Sequence, residues 1–386
     1  MIARVNYLGI FFLLALSLFF VVGQHTIMYL YGIDKLIPTD ILMAGTLDFI
    51  ITFLLMALFL GFNKDRISKA GLNWSNAYKG KLECIVIYAL GSIFYLVLIY
   101  YAPNFIALII QGVTRQVLFD QFGGYPFLLS MADKYFLIAS VFLIFSGAPR
   151  RLKYFTVLGF IISTVVMTSR SNLMFLLIFL FIYYLLFFKK SSLATLIKLF
   201  VFFVALAVFF GVFIQNRTGE SAFLGPLKPV EDLFLYQSYS MYLAQVSSSF
   251  SSEYNKYVYP FFGYFSDFWY REFGGLHSVG SDFVMGFHVF KSDVRTHSAN
   301  VLYPWWSWFY GAYGFSGLIF KAVYVFLVLY VLIVFRLFPV FLLFLYWTLF
   351  SGYIRFPFLT LDSFVLLFFA LVIAIIPRLK LKRTPA

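Results

Sequence analysis

The chain has 386 residues, of which 62% are hydrophobic, 23% aromatic and only 12% charged. A soluble core does not need that much apolar surface, so the composition excludes a water-soluble globular enzyme and indicates a polytopic membrane protein. The single cysteine, Cys84, excludes an intramolecular disulfide framework and a cysteine metal site, and the net charge of +13 follows from membrane sidedness rather than from a nucleic-acid patch.

In chain order, ten apolar segments are predicted to span as helices, at 6–23, 41–62, 82–103, 126–147, 154–169, 173–188, 199–215, 313–335, 339–354 and 358–376. Runs of roughly 16 to 23 residues cross a hydrocarbon layer of about 30 Å when helical, with every backbone group satisfied internally. Arg4 and the apolar run from Tyr7 to Val22 resemble a signal peptide, but no convincing small-residue cleavage site follows, so this run is read as a retained first span. With the N-terminus in the cytoplasm the C-terminus is there too. The cytoplasmic side then carries 17 of the 29 lysines and arginines, opposed only by Asp65 and Glu83. The short connections Ala148–Lys153 and Lys189–Lys198 are strongly basic, as positive-inside sorting requires.

The other side holds all four histidines, His25, His277, His288 and His297, and one long connection, residues 216–312. A loop of that length is usually functional. A smaller outer loop is expected at 104–125. Within the long connection, Leu233, Tyr236, Leu243, Val246 and Phe250 fall near one helical face, so part of Glu231–Phe250 is expected to lie on the membrane surface. There is no internal repeat, no low-complexity tract and no soluble domain.

Charges inside spans are costly and are functional candidates by default. Asp48, Asp133, Lys134, Lys321 and Asp362 fall toward the outer ends of their spans, and Glu83 toward an inner end. Two readings stay open: pairing or snorkelling, for instance Lys321 with Asp48 or Asp362, and a polar cavity in the outer half of the bundle.

Arg170 sits in the short turn Thr168-Ser169-Arg170-Ser171-Asn172 between two spans, which pins a guanidinium at the membrane–water boundary. There it suits a lipid phosphate or pyrophosphate, through two parallel donors, or serves as an interfacial anchor. Arg217, Arg271, Arg295 and, in the smaller loop, Arg115 meet the same interface, and Arg355 caps the ninth span. Each is also a candidate for an ordinary surface ion pair. His297 is the best general-base candidate, because an imidazole with an unperturbed pKa of about 6.5 accepts a hydroxyl proton near neutral pH. His277 and His288 are weaker candidates, and His25 weaker still. Tyr303, Trp305, Trp306, Trp308 and Tyr310, with Trp269 and Tyr270 upstream, either contact sugars or form an interfacial aromatic belt. Asp34 and Asp40 are weak acid–base candidates. The chain lacks a Walker loop, a GxGxxG, an HExxH, a serine-hydrolase elbow and a nucleotide-sugar aspartate pair.

Two local patterns carry a resemblance. One is the Ser169-Arg170 turn between short-coupled spans. The other is His297-Ser298-Ala299-Asn300-Val301-Leu302, followed by Tyr310-Gly311-Ala312-Tyr313-Gly314-Phe315-Ser316-Gly317 leading into a span. Together with the span count and loop position, they resemble the bacterial O-antigen polymerases, which join oligosaccharide repeat units and are related to the O-antigen ligases. The resemblance implies an all-α polytopic protein of the bacterial inner membrane, with GT-C-like glycosyltransferase architecture. It implies substrates that are undecaprenyl-pyrophosphate-linked oligosaccharides, joined at the periplasmic face without cofactor or metal. It casts Arg170, Arg217, Arg271, Arg295 and Arg115 as pyrophosphate ligands, His297 as the catalytic base, and Trp269, Tyr303 and Trp305 as sugar contacts. Membrane lipid, a flippase and a chain-length regulator are the implied partners, with no nucleic acid. The alternatives are an O-antigen ligase, a transporter or flippase of lipid-linked oligosaccharide, and a structural membrane subunit.

Overall fold

The computed structural model describes residues 5–110, 126–167, 170–187, 228–251, 257–269, 286–292, 296–299 and 302–378, with a few single residues between 197 and 205 and residue 272. Thirteen helices are used below: α1 (Tyr7–Leu30), α2 (Thr39–Ser75), α3 (Lys81–Ile110), α4 (Phe127–Ile144), α5 (Arg150–Val166), α6 (Arg170–Leu186), α7 (Lys228–Ser251), α8 (Tyr259–Phe262), α9 (Tyr264–Trp269), α10 (Trp305–Tyr313), α11 (Phe315–Val334), α12 (Phe338–Tyr346) and α13 (Leu361–Ile375). Among the described residues one antiparallel strand pair, the hairpin of β1 (His288–Lys291) and β2 (Thr296–Ala299), interrupts them. Among the described residues six helices (α1, α2, α3, α4, α11 and α13) are long and apolar enough to cross a membrane, and α6 and α12 are shorter apolar helices. The protein is thus mainly α-helical and multi-pass. The expected span at 199–215 lies almost wholly outside the described residues.

Helical periodicity gives the peripheral helices an inward and an outward face, whereas α12 is buried on all sides from Phe338 to Leu345. In α2, Ile41, Ala44, Gly45, Asp48, Thr52, Met56, Phe59, Leu60 and Asn63 are buried, while Leu47, Leu54, Leu58 and Phe62 are exposed. For a spanning helix, exposure of leucine and phenylalanine is the lipid-facing side. α1 starts at Asn6, whose side chain accepts from the Gly9 amide at 2.6 Å.

The helix ends collect at two poles. At one, Lys64 lies over the Tyr7 ring, the Tyr78 hydroxyl donates to the Ile373 carbonyl, and Arg378 donates to the Phe335 carbonyl. Lys69, Lys79, Lys81, Arg150 and Arg151 belong to this pole too, making it the basic one. At the other pole, the Trp305 amide bonds Gly352, the Phe356 amide bonds Tyr303 and the Tyr264 amide bonds Phe358. The Tyr310 hydroxyl there reaches Asp40 at 3.0 Å.

Two helices are longer than the predicted apolar segments, and one expectation needs correction. Helix α2 outruns the predicted segment 41–62 and continues to Ser75, because Asn63, Ile67, Ala70, Gly71 and Trp74 extend the same buried stripe past residues 64–66. Helix α3 likewise outruns the predicted segment 82–103, continuing through Pro103 to Ile110. Proline forfeits one helical hydrogen bond, which a packed membrane helix tolerates. Finally, Glu231–Phe250 is not a surface helix. It forms most of α7, which packs against α1, α2 and α10, with Ser238, Ser240, Met241, Leu243, Ala244 and Ser247 fully buried. The small serines permit the close approach. A Cβ on Gly45 would strike Met241, and one on Gly311 would strike the Ser248 backbone. α7 runs parallel to α1, with Phe234 beside Phe19 and Phe20, and with Gln24 donating to the Gln237 carbonyl and to Ser240.

Candidate functional site

The non-basic pole carries a layered set of polar groups. Deepest is a buried ion pair between α2 and α11. Asp48 and Lys321 each lie in the inward stripe of an otherwise apolar helix, and their side chains meet at 2.5 Å, only 1% and 3% exposed. The Lys321 ammonium also reaches Thr52 at 3.4 Å and sits 5.8 Å from the Trp305 ring centre. The second Asp48 oxygen, Oδ1, has no hydrogen-bond partner among the described residues. The pair borders a cavity with room for about one water, lined also by Ser17, Phe49, Thr348, Leu349 and Tyr353. Asp48 is about 13 Å along α2 from its start at the non-basic pole.

The far wall of this cavity is a single π-helical turn, Trp347–Ser351, that ends α12. Such turns are frequent at functional sites. Ser17 of α1 donates to the Leu349 carbonyl at 2.7 Å, which ties the turn to the bundle. Beyond it, the Tyr353 hydroxyl lies 3.5 Å from His25 Nε2. His25 Nδ1 is 2.9 Å from the Val21 carbonyl, which can only accept, so Nδ1 carries the proton and Nε2 is the acceptor.

Above the ion pair lies an aromatic layer. The backbone pairing of Tyr303 and Trp305 with Phe356 and Gly352 fixes where α10 starts. Trp305, Trp306 and Trp308 are completely buried, and Trp305 Nε1 donates to the Pro260 carbonyl at 2.9 Å. Ser307 on the same helix bonds Ser247 of α7 at 2.6 Å.

Topmost is the hairpin, seated on α7 by Phe290, which stacks on Tyr242 at 4.0 Å and meets Tyr239 edge-on. His288 Nε2 pairs with the Tyr303 hydroxyl at 2.9 Å. Partial burial lowers the His288 pKa from its ordinary value and pushes the Tyr303 hydroxyl up to about 12. The pair is therefore neutral at pH 7. The ladder register matches His288 with Ala299 and Phe290 with His297, so the two histidines lie two rungs, or about 7 Å, apart along the hairpin.

A second polar cluster joins α4, α6 and α13 at the same pole. Asn172, in the first turn of α6, donates to Asp133 Oδ1 at 2.7 Å, and Lys134 holds the other oxygen at 3.0 Å. One turn earlier on α4, Ser130 donates to Asp362 at 2.9 Å. The Asn172–Asp133 bond anchors the turn in which Arg170 stands as the first residue of α6.

No family model, no curated protein and no solved structure matches this chain. The reading of the site therefore rests on its residues. Of those singled out in the sequence, Arg115, Arg217, Arg271 and Arg295 lie outside the described residues. For Arg170 and His297 only the backbone is described: the start of α6 and the second position of β2. Trp269 closes α9 and is 54% exposed. Tyr303 and Trp305 are 0% exposed and present no ring face to a sugar: they are core residues beneath the hairpin. Lys321 takes Asp48 as its partner, and Asp362 takes Ser130. The His288–Tyr303 pair, the His25–Tyr353 contact and the π turn were not singled out in the sequence. Their partners are separated by 15 to 328 residues or, for the turn, differ from an α-helix only in hydrogen bonding.

Proposed function

We propose that the chain is a membrane glycosyltransferase that polymerises undecaprenyl-pyrophosphate-linked oligosaccharides, an O-antigen polymerase, working at the periplasmic face of a bacterial inner membrane. The observation that carries this reading is the shared position of its candidates. The strand of His297, the start of α6 at Arg170 and the buried Asp48–Lys321 and Asn172–Asp133 contacts all belong to the half of the bundle opposite the basic pole. By positive-inside sorting that pole faces the periplasm, where a lipid-borne donor and acceptor present their sugars.

In the proposed reaction the acceptor hydroxyl oxygen attacks the anomeric carbon of the growing chain. The bond from that carbon to the pyrophosphate oxygen breaks, and undecaprenyl pyrophosphate leaves with the electron pair. His297 takes the hydroxyl proton. Arg170, joined by Arg115, Arg217, Arg271 and Arg295, binds the pyrophosphate and offsets its growing charge. Because the leaving group is already good, the protein's main tasks are positioning and charge stabilisation.

A ligase would use the same donor chemistry. Transporter folds often carry repeat halves and paired broken helices at matching positions, and the sequence shows neither. Surface polysaccharide from cells lacking the gene separates these readings. A single repeat unit on the core, with the ladder gone, is the expected result. Long lipid-linked polymer without surface repeats indicates a ligase, and single units held facing the cytoplasm indicate a flippase.

A further inference from the structure

The stretch Tyr257–Trp269 holds eight aromatic residues in thirteen, and Asp267 is its sole charged residue. It folds as α8 and α9, two short helices joined at Gly263, whose φ of +49° and contact with the Phe358 backbone leave no space for a side chain. One face is fastened to the bundle. Tyr259 and Ser266 are buried, Phe261 meets Phe309 and Tyr324, and the Tyr324 hydroxyl donates to the Phe261 carbonyl. Tyr264 and Phe265 rest on Phe364 of α13. The segment thus bridges the ends of α11 and α13 at the non-basic pole.

Its other face is apolar and exposed. Phe262, Phe265, Phe268 and Trp269 point outward at about three-residue spacing, each between 42% and 55% exposed. The neighbouring spans expose apolar side chains beside it: Phe315, Ile319 and Phe320 on α11, and Leu361 and Phe368 on α13. On spanning helices those side chains contact lipid, and the α8–α9 face continues their surface to its rim. Phenylalanine and tryptophan at such a rim suit the boundary between acyl chains and headgroups, where an aromatic ring is buried without losing its polar edge to hydrocarbon.

We infer that α8–α9 is a lipid-docking lip, whose partner is the outer-leaflet bilayer interface between α11 and α13. It assigns Trp269 to lipid rather than to sugar. The contact does not depend on the sugar chemistry proposed above.

The protein supplies its own reporter. Of six tryptophans, Trp74, Trp305, Trp306, Trp308 and Trp347 are at most 5% exposed, so Trp269 alone is open to a contact quencher. The full chain and its Trp269→Phe variant are compared in phosphatidylcholine vesicles whose acyl chains carry bromine at shallow or deep positions. The expected result is a quenchable emission component in the wild type that is lost in Trp269→Phe, strongest with shallow bromine and insensitive to aqueous iodide. Quenching by iodide instead places the lip in water and overturns the inference. Quenching by neither means that other residues of the chain, or a second copy, cover the face, which overturns it too. Should Trp269→Phe misfold, a nitroxide on Phe265→Cys in a Cys84→Ser background gives a second reading. Greater collision with oxygen than with a water-soluble nickel complex supports the lip, and the reverse overturns it.

Discussion

Asp48 and Lys321 are two charges removed from water, and each is tolerable only because of the other. Removing one leaves the partner buried and uncompensated, which costs about 3–5 kcal/mol, whereas replacing both by neutral groups of similar size is near neutral. Lys321→Met is therefore expected to lower thermal stability in detergent sharply, and Asp48→Asn with Lys321→Met to recover most of it. Equal melting temperatures for the single and double variants would show that the pair is not coupled. His288 gives a pH dependence. Its pKa is lowered in the folded state, so below about 6.5 the unfolded chain binds more protons than the folded one. Stability of the hairpin is full above that pH, falls as pH drops through it, and levels off below the folded pKa. Hydrogen exchange of the β1–β2 amides, corrected for intrinsic rate, should show protection declining from pH 7.5 to 5.5, and His288→Gln should flatten the profile. Arg170 carries the pyrophosphate assignment. A charge-assisted bond is worth about 1.5–3 kcal/mol, so Arg170→Ala should reduce polymer formation about 10- to 150-fold in an assay with lipid-linked repeat units. Unchanged turnover removes Arg170 from the site.

Among the elements, α7 is the one that composition alone misplaces. Its serines and glutamines read as too polar for a bundle interior, yet Ser240 accepts from Gln24 and Ser247 pairs with Ser307 inside it. The pole-side helix α10 approaches α7 closely because Gly311 has no side chain: a Cβ there would fall 2.2 Å from the Ser248 carbonyl oxygen. Gly311→Val is expected to push α10 off α7, break the Ser247–Ser307 bond and cost about 1–3 kcal/mol as overpacking. Gly61, in α2, has nothing within 4 Å of the same position, so Gly61→Ala should be neutral or stabilising by up to about 1 kcal/mol. Thermal unfolding of the two variants side by side separates close packing from mere helix propensity. A mild effect of Gly311→Val would mean that α7 is not held against α10.

For the molecule as a whole, the two poles differ in charge, and that difference predicts an orientation. Lys35 stands at the non-basic pole and Arg336 at the basic one. In a Cys84→Ser background, Lys35→Cys should react with a membrane-impermeant maleimide once the outer membrane is permeabilised. Arg336→Cys should react only after the inner membrane is opened. The opposite pattern inverts the chain and places His297 and Arg170 in the cytoplasm, away from the proposed substrates.

The apolar runs and the spacing of bases were legible in the sequence because both are one-dimensional. Length and hydropathy decide what crosses a bilayer, and lysine and arginine counts decide which side each loop prefers. The placement of Asp48 and Lys321 within apolar spans was also legible, with their pairing as one of two readings left open. What only the tertiary structure decided is partnership across distance. Asp48 and Lys321 are 273 residues apart, and Ser130 meets Asp362 across 232. The same holds for Tyr303 and Trp305. Their composition suits a sugar platform, an interfacial belt or a core equally well, and it is the backbone pairing with Gly352 and Phe356 that turns them inward. An aromatic ring gains similar free energy from burial in any of those settings, so only the geometry of its neighbours distinguishes them.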